Sequence, residues 1–113
     1  MKRISTHILD LARGKPAGDV PVRLEKQDSP GNWQLLTSAR TDHDGRCAQL
    51  LPDNDLPPGL YRLAFDTESY FGALKIVSLY PVVEVTFRVR DEDSQFHIPL
   101  LLSANGYTTY RGS

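Results

Sequence analysis

Apolar and polar residues alternate along most of this chain. Val20, Val22 and Leu24 fall on one side of a two-residue repeat, with Arg23 and Glu25 on the other. The same parity sets Val83, Val85, Phe87 and Val89 against Glu84, Thr86, Arg88 and Arg90. It also sets Phe96, Ile98, Leu100 and Leu102 against His97 and Ser103. Tyr61, Leu63 and Phe65 align within residues 60–66, residues 33–40 form a further run, and a first strand covers 4–9. Successive side chains of a strand point to opposite faces, so this pattern predicts half-buried antiparallel strands. Only residues 67–74 lack the alternation, and they are read as a short helix. Turn residues punctuate the segments, among them Gly14, Pro30-Gly31, Gly45, Pro57-Pro58-Gly59 and Gly106. Short strands separated by such signals predict an all-β sandwich of two sheets. The inner faces pack together, and the outer faces are left to solvent or to assembly.

Length limits the architecture to one domain over 1–113, with no internal repeat or linker. A chain this size buries roughly 60–70% of its unfolded surface, which is enough for one core. The net charge of -1 creates no field that would draw the chain to nucleic acid or anionic lipid, so neither is an expected partner. The longest aliphatic run, 100–102, cannot span a bilayer. Met1-Lys2-Arg3 is followed by polar residues rather than an apolar leader, and Cys47 is the single cysteine. A cytoplasmic, reducing setting is therefore expected, with Cys47 as a small buried or half-buried side chain.

Most catalytic signatures are missing. There is no Gly-rich phosphate loop, Cys-x-x-Cys, His-Glu-x-x-His or Gly-x-Ser-x-Gly. His97 lies in an aliphatic strand but takes the outer parity. It is either a hydrogen-bonded strand histidine or a proton-transfer group, since imidazole titrates near ~6.5. His7 shares the parity of Ser5 and Leu9 and is open to the same two readings. Arg46 follows the turn Asp42-His43-Asp44-Gly45. Turn chemistry accounts for Asp44-Gly45 but leaves Arg46 as either a surface charge or a guanidinium for an oxygen-rich planar ligand. His43 reads as solvated. Histidines at 7, 43 and 97 match no metal-ligand spacing and join no Cys or carboxylate cluster, so no metal is expected.

Four motifs in order narrow these alternatives. They are His7-Ile8-Leu9-Asp10 with Gly14-Lys15-Pro16-Ala17 and Val20-Pro21-Val22; Asp42-His43-Asp44-Gly45-Arg46; Phe96-His97-Ile98-Pro99-Leu100-Leu101-Leu102-Ser103; and the ending Tyr110-Arg111-Gly112-Ser113. Together, over 5–113, they resemble the transthyretin-like family, in particular its hydroxyisourate hydrolase branch. The resemblance implies an eight-stranded, two-sheet transthyretin-like sandwich with one short helix. It implies a homotetramer, a dimer of dimers with sites at the dimer–dimer interface. It makes His7, Arg46 and His97 catalytic, with His7, Arg46, Tyr110 and Ser113 binding substrate and no cofactor. The implied reaction converts 5-hydroxyisourate to 2-oxo-4-hydroxy-4-carboxy-5-ureidoimidazoline in urate degradation. Opening a cyclic amide requires a base for water and charge stabilisation for the oxyanion. One histidine fits the first role, with His7 favoured, and Arg46 fits the second. The other histidine would orient water or protonate the leaving nitrogen. The alternative within the family is a carrier of small ligands without catalysis, a branch that lacks the Tyr-Arg-Gly-Ser ending. A fibronectin-like adhesive domain would instead be a monomer with His7, Arg46 and His97 freely replaceable.

Overall fold

The computed structural model describes residues 3–51 and 56–113. Met1 and Lys2, part of the amino-terminal reading, lie outside the described residues. The strands are β1 (Arg3–Asp10), β2 (Lys15–Pro16), β3 (Pro21–Ser29), β4 (Asn32–Arg40), β5 (Arg46–Cys47), β6 (Gly59–Phe65), β7 (Val83–Val89), β8 (Gln95–Ser103) and β9 (Gly106–Thr109). One helix, α1 (Thr67–Ala73), follows β6. One sheet runs β2-β1-β8-β9, with β5 also paired to β1, and the other runs β4-β3-β6-β7.

Alternation sets the burial. On β1, Ile4, Thr6, Ile8 and Asp10 are buried, while Ser5, His7 and Leu9 are half-buried. On β8, Phe96, Ile98, Leu100 and Leu102 enter the core, where they meet Leu24, Leu63 and Phe65 of the second sheet. Cys47 is buried as well and carries a free thiol. Burial pushes that thiol up to about 11, so it is no nucleophile at neutral pH.

The helix forms where alternation stops. Asp66 caps it by accepting from the Ser69 amide at 3.1 Å, an interaction that satisfies one of the orphan donors of the first turn. Its inner side buries Tyr70 and Phe71. The Tyr70 hydroxyl donates to Asp10 Oδ2 at 2.7 Å, and the Arg13 amide donates to Asp10 Oδ1 at 3.1 Å. The buried carboxylate at the end of β1 thus has its partners, as burial of a charge requires, and it ties the helix to the strand.

Two features differ from the strand-by-strand expectation. First, β1 and β8 are parallel rather than antiparallel, in register from Arg3↔Gln95 to Asp10↔Leu102. Between them the chain builds the whole second sheet and the helix, so no hairpin forces a reversal of direction. Second, the far flank of β1 is shared by two strands of two residues each, bringing the total to nine among the described residues. Ile8 is where they meet: its amide donates to Gly45 O at 2.8 Å, and its carbonyl accepts from Ala17 N at 2.9 Å. Segments this short carry no readable period.

Candidate active site

Two backbone registers gather the polar residues of the outer face. The parallel ladder sets Ser5 beside His97 and His7 beside Pro99. Antiparallel pairing with β5 sets Arg46 opposite His7. Directly opposed strand residues hold their Cβ atoms roughly 4.5–5.5 Å apart, so His7 and Arg46 are immediate neighbours. A cavity of about 220 Å³ opens beside them, lined by Arg3, Ser5, Arg46, Gln95, His97 and Ser113, among others. His7 flanks this cavity without forming part of its wall.

Arg46 is aimed by its turn. Asp42 Oδ1 accepts from the amides of Asp44 (2.9 Å) and Arg46 (3.0 Å), and Asp42 N donates to Arg46 O at 3.0 Å. The Arg46 amide, aided by that of Asp44, holds the Asp42 carboxyl below its ordinary value. His43 is exposed, 3.5 Å from Asp44 Oδ2.

His97 is held on two sides. Ser5 Oγ lies 2.8 Å from its Nδ1. On the other side the tail resumes pairing at Gly112, whose amide donates to His97 O at 2.7 Å. A Cβ at residue 112 would stand 2.5 Å from His97 Cδ2, so only glycine lets the tail lie this close to the ring. Arg111 anchors the approach: Nη2 reaches Gln95 O (3.3 Å) and Asp93 Oδ1 (3.5 Å), and the guanidinium lies 5.3 Å from the Phe96 ring centroid. Ser113 then reaches the cavity.

Tyr110 goes elsewhere. Strand β9 ends at Thr109 and the ladder returns only at Gly112. The break turns Tyr110 to a separate, largely apolar cavity of about 270 Å³, lined also by Val85, Phe87, Phe96, Ile98 and Arg111. Within one chain, then, His7, Arg46, His97 and Ser113 converge and Tyr110 does not. Ser5 is the residue that sequence reading passed over. Its parity with His7 was visible, but nothing local announced that β8 would lie beside β1.

Desolvation, followed by the charges of Arg46 and His7, lowers the His97 pKa from its ordinary 6.5. The ring is therefore neutral at pH 7 and can accept a proton. Among the described residues, Arg3 and Arg46 line this cavity with His97, and His7 stands opposite Arg46. In an NMR titration the His97 ring is expected to change charge below pH 6.5. In Arg46→Gln the midpoint is expected to rise but stay short of 6.5, because desolvation remains. A midpoint unmoved by Arg46→Gln would show that the guanidinium does not act on the ring. The sign for stability follows: protonating His97 is harder in the fold than in the unfolded chain. This contribution is intact above pH 6.5 and is lost as pH falls through the folded pKa. An Arg beside two histidines suits carbonyl or anionic oxygen better than a metal cation, whose site would be completed by carboxylate or thiolate.

Known proteins resemble the chain in both sequence and fold. The model described as "HIUase/Transthyretin family" matches residues 4–112. The 5-hydroxyisourate hydrolase of Mus musculus is 46% identical over 111 residues, covering 97% of this chain and 94% of that protein. The 5-hydroxyisourate hydrolase of Caulobacter vibrioides is 44% identical over 117 residues and is covered completely, as is this chain. Among solved structures, the Klebsiella pneumoniae 5-hydroxyisourate hydrolase superposes with a TM-score of 0.88 at 33% identity, over 99% of this chain and 100% of that one. The transthyretin from Sparus aurata gives 0.91 at 30% identity, over 99% and 97%. By sequence and by fold, this chain belongs to the HIUase/transthyretin family.

Proposed function

We propose that this chain is a hydrolase that opens 5-hydroxyisourate at a cyclic amide bond, a step of urate degradation, giving 2-oxo-4-hydroxy-4-carboxy-5-ureidoimidazoline. One observation carries the reading: His7, Arg46 and His97 share one outer sheet face, beside a cavity that Ser113 reaches. The relatives named 5-hydroxyisourate hydrolase, at 40–46% identity, support it as well. The likeness to transthyretin is of equal structural quality, so the fold itself does not separate catalysis from carriage.

In this mechanism water attacks the amide carbonyl carbon and gives its proton to a neutral histidine. Arg46 binds the carbonyl oxygen and offsets the negative charge it acquires. The C–N bond then breaks, and the nitrogen takes up a proton. His97 rather than His7 is assigned as the base, because His97 lines the cavity and burial favours its neutral form. His7, next to Arg46, orients substrate or returns the proton to the leaving nitrogen. Ser113 contributes a hydroxyl to substrate binding.

The functional unit in this proposal is a homotetramer with sites at the dimer–dimer interface. Val77 is 93% exposed and Leu79 64%, and Tyr80 packs edge-on against Tyr107 with ring centroids 5.2 Å apart. Apolar exposure of that kind calls for a cover. Strands β7 and β9 each end their sheet, so their outer edges are available for pairing. Tyr110, more than half exposed, would serve a site completed by a neighbouring copy. Light scattering is expected to give about four times the chain mass of 12.7 kDa. A monomer would remove the assembled pocket. The unpaired thiol of Cys47 fits a reducing, cytoplasmic setting.

The test of function is direct. Freshly generated 5-hydroxyisourate, supplied by urate oxidase in the same cuvette, should lose its absorbance faster when this protein is added. No acceleration by a folded tetramer would put the carrier reading first.

A further inference from the structure

We infer that Ser5 is a positioning residue: its hydroxyl accepts a hydrogen bond from His97 Nδ1–H and so leaves the lone pair of Nε2 for the attacking water. The inference rests on the hydrolase reading, and its structural half can be tested without substrate.

The contact arises from the fold rather than from local sequence. Ser5 and His97 are 92 residues apart, yet the parallel ladder makes them register partners on adjacent strands. Both project on the face that carries the cavity, and both line it. The 2.8 Å separation from Oγ to Nδ1 is that of a good hydrogen bond. No other bond of the Ser5 hydroxyl occurs among the described residues.

An imidazole on a strand has two ambiguities. Its χ2 torsion is broadly two-fold, and its neutral form has two tautomers. Either one moves the basic nitrogen. Gly112 packs against the Cδ2 edge of the ring, so the tail limits rotation on that side. On the opposite edge, Ser5 makes Nδ1 the hydrogen-bonded nitrogen. The tautomer of a histidine is set by what its other nitrogen bonds. If Ser5 accepts from Nδ1–H, Nε2 is the unprotonated atom, as a general base requires. An imidazole free in water favours the other tautomer, with the proton on Nε2. A serine hydroxyl can both donate and accept; in the accepting role inferred for it, it selects the tautomer that is less common in water. A residue that only filled space would leave this choice unchanged.

Three substitutions separate the hydroxyl from the shape of the side chain: Ser5→Ala, Ser5→Thr and Ser5→Val. Threonine and valine have the same shape and both suit a strand, but only threonine keeps the oxygen. The full-length protein would be labelled with 15N-histidine, and the His97 ring shifts read near pH 8. In parallel, kcat and KM for 5-hydroxyisourate would be measured. The wild type and Ser5→Thr are expected to show His97 protonated on Nδ1. In Ser5→Ala and Ser5→Val the proton should move largely to Nε2, with kcat lower by about tenfold and KM within about twofold. An Nε2–H tautomer in the wild type would overturn the inference, as would Ser5→Val matching Ser5→Thr in spectrum and kcat. If the wild type fails to turn over 5-hydroxyisourate at all, the hydrolase reading falls, while the ring shifts still decide the Ser5 contact. Should Ser5→Ala fold poorly, the threonine–valine pair carries the comparison alone.

Discussion

Replacing His97 by Ala is expected to lower kcat for 5-hydroxyisourate by about 100- to 10,000-fold, the range that a positioned general base contributes. The fold should survive. His97 is half-buried on the outer face, and its backbone bonds, including the one from Gly112, do not depend on the ring. Removing the imidazole leaves the Ser5 hydroxyl without its partner, but Ser5 is itself half-buried, and water can replace the lost bond. A stability change within about 1 kcal/mol is therefore expected, as for substitutions away from the core. Because the substrate also decays unaided, the measurement is the protein-dependent part of the rate, taken with a thermal melt of the same sample. A His97→Ala protein that melts normally and retains most of its kcat would remove His97 from the chemistry. The base would then have to be His7.

The core was legible because its signal is local. Each two-residue alternation in β3, β6 and β8 reports one buried face, and apart from Ala64 and Pro99 the buried residues of these strands fall on the expected parity. The helix was legible as the one place where alternation stops. What lay beyond reading was the relation between distant strands. The parallel register of β1 and β8 leaves no trace in either strand, so the Ser5–His97 contact was invisible although both residues were in view. The two-residue ladders β2 and β5 contain too few residues to show any period. Arg46 was partly legible, as the residue that turn chemistry left unexplained. The tail was recognised by resemblance, and its physical reasons came from the structure. Gly112 is the close approach to the imidazole, and Arg111 is the anchor to Asp93 and Gln95. For Tyr110 the same motif pointed to the pocket, but within one chain the break in pairing after Thr109 sends its side chain to the separate, largely apolar cavity.

The second large effect concerns Gly45, which precedes Arg46 in the turn. Its φ of +75° lies in the left-handed region, and a Cβ there would stand 2.4 Å from Ile8 O, 3.1 Å from Pro16 Cβ and 3.2 Å from Ala17 N. Two of these neighbours are backbone, so a side-chain rotation cannot relieve the contact. In Gly45→Ala the turn must move away from β1. That weakens the bond from Ile8 N to Gly45 O and the one from Ala17 N to Ile8 O. The left-handed conformation costs an alanine about 1–2 kcal/mol, and each disturbed hydrogen bond about 1 kcal/mol more. A loss of roughly 3–4 kcal/mol is expected, a large part of the stability of a small domain, and it should appear as a fall in Tm of about 15 °C. Gly31→Ala supplies the control. Gly31 has a φ of +79°, but a Cβ there meets nothing within 4 Å, so only the conformational cost applies. Equal destabilisation by the two substitutions would mean that β1 tolerates a displaced turn. A larger loss in Gly45→Ala, with a raised KM in whatever fraction stays folded, would mean that the same close approach sets both the strand pairing and the position of Arg46 opposite His7.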